Sequence, residues 1–250
     1  REAPAACKPP RRPGRRRGSA LDRAAAAHYS GRMILLAIDT ALENASVGLV
    51  AGDRRWTRVA TIGRGHAEIL MDAIAGLLAE AEIAPSALER IAVTVGPGPF
   101  TGLRVGIAAV RGIALVHRIP VVGVPTLMIH AAHALALMEM PRPVLALLPA
   151  RADELYGQAF DANGAPLSPP AAGTSADFAA EAAAGNFVVA GAGAAVLGEG
   201  FAPVHRDSAP SIDMLLDLGA RLDPALFPPK PLYVKPPDAA PQGGARIARR

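Results

Sequence analysis

The chain has 250 residues, enough for one large domain or two small ones, and 51% of them are apolar although only 4% are aromatic. The single cysteine, Cys7, excludes an internal disulfide and any metal site built from several cysteines. The net charge of +4 is uneven, because residues 1–32 hold nine Lys or Arg against two acids (+7), which leaves 17 basic against 20 acidic residues (−3) in the remainder.

A core made mainly of alanine and branched aliphatic residues favours an α/β protein with closely packed helices and short strands. No apolar run reaches the roughly 18 to 20 uninterrupted residues of a membrane-spanning helix. We therefore expect a soluble, cytoplasmic protein with no membrane partner.

Residues 1–32 are rich in Pro, Arg and Ala and show no hydrophobic periodicity. They end directly before Met33, where a strand pattern begins, so we expect a disordered basic extension and a folded protein that starts naturally at Met33. Residues 236–250 are expected to form a flexible tail. The alternative for these basic ends is contact with nucleic acid.

The first half, residues 33–140, predicts the order βββαβαβ and so an N-terminal lobe. Short polar turns join the first three strands as antiparallel neighbours, and the apolar spacing of the first helix is 3, 4 and 7. The predicted strands are 34–40, 45–52, 54–63, 90–95 and 119–124, and the predicted helices are 66–83, 101–116 and 126–140.

A proline-rich break leads into a smaller second half, residues 141–235, which we interpret as a C-terminal lobe. Thr174 or Ser175 is a candidate N-cap for its first helix. The predicted strands are 144–148, 155–160 and 186–194, the hairpin turn is 161–164, and the helices are 174–185 and 211–222.

The stretch "VGPGPFTGLRVG" (95–106) combines a glycine-rich turn with the start of a helix. It lacks the lysine of a Walker loop, and Pro97 and Pro99 remove backbone N–H donors that a phosphate cradle needs. Small residues recur on one helix face at 102, 106, 109 and 112. The pattern favours packing or partner contact over ligand binding, and Gly96 and Gly98 remain weak candidates for cofactor binding.

Asp39 and Thr40 end the first strand and are the other weak candidates for a cofactor site. A strand-end Asp followed by Thr opens the phosphate-binding hairpin of sugar kinases and actin, where the acid reaches a metal ion through water. The alternative is that Asp39 only accepts hydrogen bonds within its turn. The residues alone leave both interpretations open.

His130 and His133 lie three residues apart on a predicted helix, a spacing that can hold a metal ion. No third ligand is evident in the sequence, so we predict no metal site. No G-x-S-x-G motif marks a nucleophile, and we predict no catalytic residue.

Five segments, "ILLAIDTALENASVGLV", "GHAEILMDAI", "TVGPGPFTGLRVGIAAVRGIAL", "IPVVGVPTL" and "PLYVK", resemble the bacterial TsaB (YeaZ) family in order across residues 33–235. The resemblance implies the actin and sugar-kinase-like (ASKHA) α/β fold. That fold has two lobes, each a mixed sheet with flanking helices, and here the second lobe is smaller.

The family takes part in making threonylcarbamoyladenosine beside the anticodon of tRNAs that read codons starting with A. The resemblance implies a non-catalytic dimerisation or scaffold subunit that binds TsaD, joins TsaE and meets tRNA through the complex. It implies no cofactor of its own, with ATP or ADP in the complex. TsaD-like proteins carry a His-x-x-x-His metal pair, and here the first position of that pair is Thr126.

The resemblance places the partner surface on the two helices around 66–82 and 101–116, which would pack with TsaD or with a second copy of this chain. The alternative function is an independent ATPase or kinase, or a protease-like enzyme. The expected interface residues are His66, Ile69, Leu70, Ala73, Ile74, Leu77, Gly102, Arg104, Val105, Gly106 and Ala109.

Overall fold

The computed structural model describes residues 33–42, 44–61, 66–151 and 153–235 of the chain. The expected extension 1–32, the tail 236–250 and the side chain of His66 lie outside the described residues. The strands are β1 Ile34–Asp39, β2 Asn44–Ala51, β3 Arg54–Thr61, β4 Arg90–Gly96, β5 Val121–Pro125, β6 Val144–Pro149, β7 Glu154–Phe160, β8 Ala171–Thr174 and β9 Val188–Ala190. The helices are α1 His66–Glu80, α2 Phe100–His117, α3 Thr126–Leu137, α4 Ser175–Ala184 and α5 Ile212–Arg221.

The first sheet has the strand order β3-β2-β1-β4-β5. Strands β1, β2 and β3 form an antiparallel meander, and β4 and β5 continue the sheet in parallel with β1. The central strands β1 and β4 are almost continuously buried, as expected for strands covered by helices on both faces. The predicted order βββαβαβ is therefore confirmed.

The second sheet has the order β8-β7-β6-β9 and repeats the first four strands of the first sheet. Strands β6, β7 and β8 are antiparallel neighbours, and β9 runs parallel to β6. A strand equivalent to β5 is missing from this sheet, in the part of the chain that is described. The smaller second half is thus a shortened copy of the first topology.

Helices cover both faces of the first sheet. Side chains of α1 and α2 pack on one face, with Leu70 and Ile107 in the same hydrophobic cluster as Leu36 of β1. On the opposite face, Ile129 of α3 packs with Leu215 of α5. Helix α3 also contributes Leu127 and Leu135 to the core against the second sheet, so this one helix links the two sheets.

Three sequence predictions need correction. The strand expected over 186–194 is only Val188–Ala190, because the backbone turns at Gly191 (φ 90°) into a 3₁₀ helix at Ala192–Val196. The short strand β8 was not predicted, because its residues, "AAGT", are poor strand formers. Helix α3 ends at Leu137 instead of 140.

Thr174, one of the two predicted candidates, caps α4. Its hydroxyl accepts a hydrogen bond from the N–H of Asp177, and the Asp177 carboxylate accepts one from the N–H of Thr174, which is a capping box. Ser211 caps α5 in a similar way by accepting from the N–H of Met214.

Helix α2 is 18 residues long with a mean hydropathy of 1.3, and so meets the length and composition of a membrane-spanning helix. The same helix buries Leu103, Ile107 and Val110 against its own sheet. A core helix meets this test as readily as a membrane helix does, so α2 is weak evidence for a membrane span.

The two mixed sheets with flanking helices form the actin and sugar-kinase-like fold that the resemblance implied.

Candidate functional site

Asp39 lies at the end of β1 and is fully buried. Its Oδ1 accepts hydrogen bonds from the N–H of Ala41 (3.0 Å) and the hydroxyl of Thr94 (2.7 Å). Its Oδ2 is buried and has no hydrogen-bond partner among the described residues. Burial raises the pKa of Asp39 to about 6, because desolvation outweighs the two hydrogen bonds that favour the carboxylate.

The glycines of α2 pack against the residue that follows Asp39. Thr40 is buried and its hydroxyl donates to the carbonyl oxygen of Gly102 (2.7 Å). A Cβ on Gly102 would overlap the Thr40 carbonyl oxygen, and one on Gly106 would overlap the Thr40 hydroxyl. The small-residue face that the sequence predicted therefore serves close packing within the chain at these two positions.

The turn before α2 is closed on both sides. A Cβ on Gly98 would overlap the carbonyl oxygen of Ala41. Gly96 has a positive φ of 110°, and a Cβ there would lie 2.8 Å from the carbonyl oxygen of Leu232. The N–H of Leu232 donates a hydrogen bond to the carbonyl oxygen of Val95 (2.7 Å), so the segment around Leu232 lies across this turn. The cofactor candidates Asp39 and Thr40 are thus buried, and Gly96 and Gly98 pack closely against other backbone segments of the chain.

The predicted interface residues divide into two groups. Leu70, Ile74 and Leu77 are buried in the core beneath the first sheet, and Gly102 and Gly106 face Thr40. The second group, Ile69, Ala73, Val105, Ala109 and Arg104, is at least partly exposed. The apolar face of α1 that the sequence predicted packs on the chain's own sheet. A partner surface on α1 and α2 must therefore use the outer faces of these helices.

Those outer faces form an apolar groove between α1 and α2 with a volume of about 470 Å³. Met71 is 50% exposed and Val116 is 74% exposed. Gly112 lies in the groove, and a Cβ there would meet nothing within 4 Å. The groove is lined by Met71, Ile74, Ala75, Leu78, Pro85, Leu88, Ala108, Ala109, Gly112, Ile113, Val116 and His117.

The position of the TsaD-type metal pair is occupied by Thr126 and His130, one turn apart at the start of α3. Both side chains are buried, and the Thr126 hydroxyl and both ring nitrogens of His130 have no hydrogen-bond partner among the described residues. Burial, followed by the nearby His205 and His133, lowers the pKa of His130 to about 3. One imidazole and one hydroxyl do not fit a metal that needs a histidine pair at this place.

Three histidines meet near the middle of α3. The rings of His130 and His205 stack with centroids 5.4 Å apart, and those of His133 and His205 are 4.7 Å apart. Asp207 lies beside them in the loop between the 3₁₀ helix and α5. Of these residues, the sequence pattern pointed only to His130 and His133. The His205-x-Asp207 spacing, just before a predicted helix, was the signal that could have indicated further ligands.

Comparison with known proteins gives a consistent result. Residues 60–194, more than half of the chain, match the family model described as "TsaD: tRNA N6-adenosine threonylcarbamoyltransferase". The tRNA threonylcarbamoyladenosine biosynthesis protein TsaB of Escherichia coli is 34% identical over 134 residues, which are 53% of this chain and 58% of that protein. The chain thus spans just over half the length of this curated relative.

Two solved structures from Pseudomonas aeruginosa are similar over most of the chain. One is described as an uncharacterized protein with similarity to peptidase YEAZ, with a TM-score of 0.68 and 31% identity over 81% of this chain and 100% of its own. The other is YeaZ, with a TM-score of 0.68 and 30% identity over 80% of this chain and 99% of its own. On these matches the chain belongs to the TsaB (YeaZ) family.

Proposed function

We propose that the chain is a non-catalytic scaffold subunit of the machinery that adds a threonylcarbamoyl group to N6 of the adenosine beside the anticodon. Its main partner is a TsaD-type transferase, and the ATPase TsaE and the tRNA join through the complex. The observation that carries this proposal is the open apolar groove between α1 and α2. Membership of the TsaB family supports the reaction to which the subunit contributes.

The groove has the shape and chemistry of a helix-docking surface. Its lining includes the small residues Ala75, Ala108 and Gly112, which let a partner helix approach closely, and the exposed apolar side chains of Met71 and Val116. Closely packed apolar centres are typical of stable protein interfaces. The family model described as the transferase matches residues 60–194, which include both helices of this pair, so we expect the transferase to carry an equivalent pair. Two such pairs can pack as a four-helix bundle.

The remaining candidates favour a subunit without its own chemistry. Asp39 is fully buried, and the glycine face of α2 covers the strand end that would meet a nucleotide. The metal pair of the transferase is reduced to Thr126 and His130, which do not fit that metal. No cofactor is assigned to this subunit, and ATP or ADP belongs to the complex.

A co-purification experiment with matched variants tests the proposal. Ala108→Glu places a carboxylate in the groove, and Ala180→Glu makes the same change at an exposed position of α4. We expect the wild type and Ala180→Glu to retain the TsaD-type partner with and without ATP, and Ala108→Glu to lose it. Both variants should keep the wild-type circular dichroism spectrum. Equal retention by the two variants would overturn the groove as the docking surface.

A further inference from the structure

We propose that His133, His205 and Asp207 form a site for a divalent transition metal of the zinc type. The three side chains each offer a ligand atom, and these atoms lie within 4.8 Å of one another. Two neutral imidazoles and one carboxylate are a common ligand set for zinc. The site differs from the Thr126 and His130 positions that correspond to the transferase pair.

The two distances from Asp207 to the histidines suit tetrahedral coordination. Nδ1 of His133 and Nδ1 of His205 each lie 3.3 Å from Oδ2 of Asp207. Zinc bonds to nitrogen and oxygen of about 2.0 to 2.1 Å imply a separation of about 3.3 Å between ligands in a tetrahedron. Two of the three separations between donor atoms therefore match those around a bound ion, and the two imidazole nitrogens lie within 4.8 Å of each other.

The tautomer of His205 is fixed in the form that a metal needs. Its Nε2 lies 3.1 Å from the carbonyl oxygen of His130, which can only accept, so Nε2 carries the proton. Nδ1 then has a free lone pair, which accepts a long hydrogen bond of 3.3 Å from the N–H of Asp207. A ligating histidine usually donates its other N–H to a carbonyl or carboxylate, and a metal would replace the long bond at Nδ1.

His133 has an unused nitrogen that faces the same point. Its Nδ1 is buried without a hydrogen-bond partner, because the 3.3 Å contact with Asp207 lacks hydrogen-bond geometry. Burial and the nearby His205 lower the pKa of His133, against the opposing effect of Asp207. A metal would satisfy this buried nitrogen.

The site is open to a fourth ligand on one side. The Asp207 side chain is 53% exposed. It also lines a cavity of about 530 Å³ whose wall includes Ser46, Arg206 and Ser211. Three protein ligands with an open fourth position are the pattern of zinc sites that bind water or a small ligand. A metal here would also tie α3 to the loop that precedes α5.

Titration of the full chain with Co²⁺ and Zn²⁺ tests the site, with His133→Gln and Asp207→Asn as variants. His117→Gln is the matched control, because His117 is exposed on α2 at the opposite face of the first sheet. We expect one equivalent of Co²⁺ to give the visible absorption of a tetrahedral site in the wild type and the control, and Zn²⁺ to displace it. His133→Gln and Asp207→Asn should each bind Co²⁺ at least about tenfold more weakly than the wild type.

Thermal unfolding supplies a second measurement on the same proteins. Zn²⁺ should raise the Tm of the wild type and of His117→Gln but leave that of Asp207→Asn unchanged, because binding to the folded state alone stabilises it. Absence of stoichiometric binding to the wild type, or equal binding by all variants, would overturn the proposal. The cluster would then be a hydrogen-bonded group that orders the loop.

Discussion

The hydroxyl of Thr40 donates a 2.7 Å hydrogen bond to the carbonyl oxygen of Gly102, and this contact joins the end of β1 directly to α2. Gly106, one turn further along the helix, faces the same hydroxyl. The strand end at Asp39 and Thr40, which the sequence offered as a cofactor candidate, is packed against the chain's own helix. The contact makes Gly102 and Gly106 structural residues.

Substitution of two glycines on α2 should have opposite effects. Gly106→Ala would place a Cβ against the Thr40 hydroxyl, which its bond to Gly102 holds in place, and should lower the free energy of unfolding by about 1 to 3 kcal/mol. Gly112→Ala meets open space and should raise it by up to about 1 kcal/mol through helix propensity. Urea unfolding measures both. Equal effects would contradict the packing role of Gly106.

The buried carboxyl of Asp39 should make stability depend on pH. Burial raises the pKa of Asp39 to about 6 in the folded chain, compared with 3.8 for an unburied aspartate, so between these pH values the folded state keeps a proton that the unfolded state releases. The contribution of Asp39 to stability therefore falls as pH rises from about 4 to about 6 and is constant above.

Asp39→Asn removes this titration and retains an oxygen that can accept the two hydrogen bonds. The free energy of unfolding of the variant, relative to the wild type, should increase by about 2 to 3 kcal/mol over that pH interval. Chemical denaturation of both proteins from pH 4 to pH 7 provides the comparison. A relative stability that decreases with pH would refute the raised pKa.

Arg90 should stabilise the end of α5. Its Nη1 donates to the carbonyl oxygens of Gly219 (3.1 Å), Ala220 (3.0 Å) and Leu222 (3.2 Å), which lie at and just beyond the last turn. Arg90→Met leaves these carbonyls unpaired and should lower the free energy of unfolding by about 2 kcal/mol. The exposed Arg142 provides the control. Arg142→Met should change the free energy of unfolding by less than about 0.5 kcal/mol. Similar losses in both variants would argue against the cap.

The purified chain should not hydrolyse ATP above the rate of a blank, because Asp39 has no exposed oxygen and the strand end is covered by α2. Phosphate release from the isolated protein with Mg²⁺ measures this directly. Turnover that Asp39→Asn removes would establish the alternative function, an independent ATPase or kinase.

The sequence predicted most of the first half because its signals are local. Alternating and helical apolar patterns fixed the order βββαβαβ, and Thr174 was found as an N-cap because capping needs only a residue and its own helix. Strand β8 was not predicted because "AAGT" has little intrinsic strand preference and forms a strand only through its pairing with β7.

The sites were harder to predict because they depend on which elements meet. The apolar stripe with Leu70 and Leu77 is equally suited to a sheet or to a partner, and only the fold shows that it faces the sheet. His205 and Asp207 are far from His133 in sequence, so their meeting depends on how the loop before α5 folds back onto α3. Sequence spacing alone could not supply the third ligand.

Reconstituted tRNA modification tests the scaffold role most directly. Threonylcarbamoyl incorporation into tRNA is measured with the TsaD-type and TsaE partners and an added activated threonylcarbamoyl donor, together with the wild type, Ala108→Glu or Ala180→Glu. We expect the wild type and Ala180→Glu to support equal incorporation and Ala108→Glu to reduce it at least about tenfold, since a charge buried in an apolar contact costs more than about 1.4 kcal/mol. Equal incorporation with Ala108→Glu, or full incorporation without the chain, would contradict the scaffold role.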